Sequence, residues 1–171
     1  MDSDLPYLNP LLMWLRKDEV LKDEFTEKSF FMPHSDLITA TEEAIKKDCP
    51  APRALWILPQ DTVSISQRDG CLGHGRHTFY IEIIVQCIRN QFELVERDSE
   101  VQLSGQFMEL SELRKHVKQS VMDFQKDYLA KNPGSRKFDK ITWIKDQMLY
   151  PSETQNFLAT AIQFDVNIYN Y

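Results

Sequence analysis

Over residues 158–169 the chain alternates: Leu158, Ile162, Phe164, Val166 and Ile168 fall on one side of an extended backbone, and Gln163, Asp165, Asn167 and Tyr169 on the other. Successive strand residues point to opposite faces, so a period of two fits a strand with one buried and one wet face. Such a strand belongs in an antiparallel sheet covered on one side only. The pattern recurs over residues 77–89, where Phe79, Ile81, Ile83, Val85 and Cys87 share one face while Tyr80, Glu82 and Gln86 share the other. Its length and β-branched content predict a central strand.

Two further strands are expected, one in the apolar run Ala54-Leu55-Trp56-Ile57-Leu58-Pro59 and one from Ile141 and Trp143 to Met148. Helical spacing appears in three places. Leu8, Leu11, Leu12 and Leu15 predict an amphipathic helix over about residues 6–25, with Pro10 in its first turn. Thr39 and Glu42 stand at capping-box spacing before a short helix ending near Lys47. Leu110, Leu113, Val117, Val121, Phe124 and Tyr128 step by three or four behind Ser111, the expected N-cap, until the turn cluster Asn132-Pro133-Gly134-Ser135. Two helices, two strands, a long helix and two strands, without βαβ alternation, predict an α+β fold: an antiparallel or mixed β-sheet with helices packed on one face. A length of 171 residues suits a single domain spanning 1–171.

The formal net charge of −6 disfavours a surface built to neutralise a nucleic-acid backbone, so no nucleic-acid specificity is expected. No apolar run is long enough for a membrane helix, and the acidic start Met1-Asp2-Ser3-Asp4 is unlike a signal peptide, so the chain is expected to be made in the cytosol with no membrane partner. Cys49, Cys71 and Cys87 are too few and too scattered for a disulfide framework and read as free thiols.

Residues 67–76 carry Gly70, Gly73 and Gly75 without hydrophobic periodicity, which predicts a long flexible hairpin loop. Within it Cys71, His74 and His77 stand three apart. Thiolate and imidazole are good zinc ligands, but a fourth ligand and the paired knuckles of zinc modules are missing. A phosphate cradle would follow a strand and open a helix, whereas here a strand follows. No Gly-x-Ser-x-Gly elbow occurs, and His116, between Lys115 and Lys118, reads as a surface residue of the long helix. Trp14, Trp56 and Trp143 lie in apolar elements and read as core, while Lys126, Lys131, Arg136, Lys137 and Lys140 read as a solvated face near a helix C-terminus. No catalytic, cofactor-binding or metal residue is therefore expected, and the chain does not read as an enzyme.

Pro52-Arg53-Ala54-Leu55-Trp56-Ile57-Leu58-Pro59, after a short acidic helix and before a long glycine loop and a strand ending Cys87-Ile88-Arg89-Asn90, resembles phage tail terminator and minor tail (tail-completion) proteins. The likeness continues through the later helix, Ile141-Thr142-Trp143 and Ala161-Ile162-Gln163-Phe164-Asp165-Val166, covering most of the chain. It implies a tail-terminator-like domain, a structural virion protein without cofactor. Such a subunit forms a hexameric ring, caps the tail tube and meets head or neck proteins, assembling in the bacterial cytoplasm and residing in the virion tail. By position, Arg68, Asp69, His74, Arg76 and His77 would contact the tube or a neighbouring subunit, and strand edges would join subunits. Residues 90–109 depart from that pattern as an insertion. The alternatives are a cellular adaptor binding a peptide at a strand edge and, less favoured, a small metal-dependent hydrolase at Cys71, His74 and His77.

Overall fold

The computed structural model describes residues 5–25, 30–31, 53–86, 105–134, 136–149 and 157–170. In chain order these form α1 (Leu8–Lys17), α2 (Glu19–Glu24), β1 (Phe30–Phe31), β2 (Arg53–Arg68), β3 (Cys71–Gln86), α3 (Gly105–Lys131), β4 (Phe138–Leu149) and β5 (Phe157–Asn170). The five strands make one sheet in the order β1-β2-β3-β5-β4. The last four pair antiparallel, and β1 adds a short parallel edge beside Leu55 and Trp56. The class is α+β, as expected, with β1 an element the sequence pattern did not reveal. The expected helix after Thr39, the thiols of Cys49 and Cys87, and residues 90–104 of the insertion lie outside the described residues.

The expected long loop at 67–76 is a correction. Strand pairing runs to Arg68↔Cys71, leaving only Asp69 and Gly70 as the turn. Asp-Gly is a strong short-hairpin signal because glycine readily takes the positive φ such turns need, and Gly70 has φ 81. Gly73 serves a different end. The register slips between Ser66 and Arg68, and Gly73, with φ 72, lets the bulged strand lie so close that a Cβ there would sit 2.0 Å from the Ser66 carbonyl oxygen. Three glycines within six residues therefore reflect a turn and a bulged ladder, not an unpaired loop.

One face of the sheet carries the core. Leu55 and Ile57 of β2, Phe79, Ile81 and Ile83 of β3, Phe138 and Ile141 of β4, and the expected face of β5 are buried beneath the helices. Burial of each such side chain is worth about 1.5–3 kcal/mol. α3 contributes Leu110, Leu113, Val117, Val121 and Phe124, the stripe read from sequence, but begins at Gly105, so Ser111 lies inside the helix instead of capping it. The expected first helix is broken at Asp18, whose ψ of 128 ends α1 and whose carboxylate accepts from the backbone N–H groups of Val20 and Leu21 to start α2. That capping bond competes directly with helix continuation.

Gly73→Ala is expected to destabilise the fold by at least about 2 kcal/mol, since left-handed strain of roughly 1–2 kcal/mol adds to the clash with Ser66. Gly70→Ala meets nothing within 4 Å and should cost only the strain. Urea denaturation of the two variants checks the order.

Candidate assembly surface

The sheet ends in strands that carry exposed apolar side chains. Among the described residues β2 has an outer neighbour only at Leu55 and Trp56, and residues 60–67 are exposed throughout, Val63 and Ile65 at 55% and 51%. On the opposite side, among the described residues, β4 pairs only with β5, with register shifts between Asp139 and Thr142 and between Trp143 and Lys145. On this outer strand Trp143 and Ile144 are 49% and 44% exposed, which corrects the reading of Trp143 as core; Trp143 stands opposite Phe164, on the helix side of the sheet. Trp56 is buried as expected, and Trp14 is half-buried, its Nε1–H donating to Ser120 Oγ and carbonyl oxygen, each at 3.1 Å.

Trp143 is exposed but held. Its indole N–H donates to Asp146 Oδ1 at 2.9 Å, and the Lys118 ammonium lies 4.2 Å from its ring centre. Asp146 in turn accepts from Lys118 Nζ at 2.8 Å and faces Arg114 Nε at 3.5 Å. A surface aromatic ring fixed from both sides loses little further freedom on contact, the property of an interface anchor.

The contact residues expected from sequence do not form one patch. Asp69 is exposed in the turn, and Arg68 ends β2 beside it. His74 and Arg76 lie on the sheet face opposite the helices, with Arg76 3.9 Å from Asp165 and His74 stacked on Tyr169 at 4.8 Å. Tyr169 donates to Asp139 Oδ2 at 2.7 Å, whereas His74 Nε2 and Asp139 Oδ1 are buried without a hydrogen-bond partner. Such atoms cost free energy unless something satisfies them, so this end of the sheet is suited to a polar contact. His77, expected at the contact, is a correction: it is 1% exposed in the core, its Nδ1 2.7 Å from Thr62 Oγ1 and its ring beside Tyr7. Burial pushes the Tyr7 phenol far above its ordinary pKa. An odd separation puts His74 and His77 on opposite faces, so Cys71, His74 and His77 cannot converge on one ion.

The closest approach to catalytic geometry is Asp18, His116 and Ser120. His116 Nε2 lies 2.6 Å from Asp18 Oδ1, and Ser120 Oγ donates to Asp18 Oδ2 at 3.0 Å. In a serine triad the imidazole stands between hydroxyl and carboxylate. Here both groups bind the carboxylate, so the serine is not activated and the cluster instead ties the α1–α2 joint to α3. The His116 side chain, read as a surface residue, is 35% exposed and engaged. Among the described residues no group of three or more His, Cys, Asp or Glu is placed to hold a metal, and no helix is long and apolar enough to cross a membrane.

No protein-family model and no curated protein matches the chain.

Burial alone would raise the Asp18 pKa, but the hydrogen bonds from His116, the Leu21 N–H and Ser120, with the charge of His116, outweigh it and hold the carboxyl below its usual 3.8. A depressed folded-state pKa means that this stabilisation is present above the unfolded value and is lost as pH falls through the folded one. Asp18→Ala is therefore expected to cost roughly 2–3 kcal/mol at neutral pH, combining a lost cap with stranded donors, and the deficit should shrink below about pH 4. Chemical denaturation of both proteins across pH 2.5–7 tests this.

Proposed function

We propose that this chain is a structural assembly subunit of a phage or prophage tail, a tail terminator that forms a ring, caps the tail tube and joins it to head or neck proteins. The observation that carries the reading is a helix-backed sheet with exposed large apolar residues on both flanking strands, Val63 and Ile65 on one side, Trp143 and Ile144 on the other. A sheet edge offers unpaired backbone groups and must be covered, blunted or used. Apolar side chains on both sides favour use, because a subunit with two different contact surfaces assembles head to tail, and closure of that contact gives a ring.

The resemblance of element order to tail terminators supports the same reading. In this role the chain acts through protein surfaces, in the virion tail, after assembly in the bacterial cytoplasm. A peptide-binding adaptor needs one free strand edge to accept an added strand. The second apolar edge and its fixed indole give no advantage to such a module.

Light scattering over a dilution series, with electron microscopy of the large species, is expected to show a closed ring of about six subunits. Added to polymerising tail-tube protein, the chain should shorten the tubes in proportion to its concentration. Tubes of unchanged length, together with a monomer that captures one peptide at equal ratio, would replace this reading with the adaptor.

A further inference from the structure

We draw no further inference here: the strongest candidate, the cavity between α2 and α3 lined by Val20, Glu24, Glu109, Glu112, Leu113 and His116, is a cluster of acidic side chains around a histidine already held by Asp18, and no second observation in the structure points to a ligand.

Discussion

β3 and β5 pair without a break from Gly73↔Asn170 to Gln86↔Phe157, the only long ladder among the described residues that has no register shift. Phe79 stacks on Phe164 in the middle of it at 5.3 Å, and Tyr7 and the helices close over that pair. The strands on either side are less regular: β2 and β4 each carry register shifts. Trp143 stays opposite Phe164, on the helix side, and is exposed because β4 is the outer strand on that side among the described residues. The surface proposed for assembly is therefore part of the sheet's own flanking strands, not of a separate binding module.

Two carboxylates fasten α3 on different sides, one to the sheet and one to the α1–α2 joint. Arg114 and Lys118, one turn apart, reach Asp146 of β4, while His116 and Ser120, also one turn apart, reach Asp18 between α1 and α2. Residues four apart share a helix face, so each carboxylate meets a matched pair of donors. The Asp146 pair has a second role, since Lys118 also covers the Trp143 ring. The same contact that docks the long helix thus sets the orientation of an exposed indole, and packing in the core fixes the geometry of the edge.

What the sequence made legible follows from where one periodicity dominates. β5 and the inner face of β3 could be read because a half-buried strand writes its period of two directly, and α3 because its apolar stripe is unbroken. The segment at 67–76 misled because glycine count is ambiguous: at Gly70 it marks a two-residue turn, at Gly73 a close backbone approach, and both look like a loop when only composition is considered. The alternation Thr62-Val63-Ser64-Ile65-Ser66 was a usable strand signal on the far side of that turn. Trp143 lies on the helix side, as its spacing from Ile141 implies, but a single sequence does not show that β4 is an outer strand, where that side reaches solvent. Asp18 broke a helix that periodicity predicted as one, because a capping carboxylate overrides a pattern set by apolar spacing.

Conflicts between local pattern and observed exposure concentrate at the flanking strands, where Val63, Ile65, Trp143 and Ile144 are apolar, strand-forming and wet. A monomer would gain by polar residues at these positions, for exposed apolar strand residues invite association. Val63 stands opposite the exposed Arg76 on the face away from the helices, whereas Trp143 stands opposite the buried Phe164 on the helix side. The two exposed apolar sites therefore open on different faces of the sheet, and a partner that covers one leaves the other uncovered.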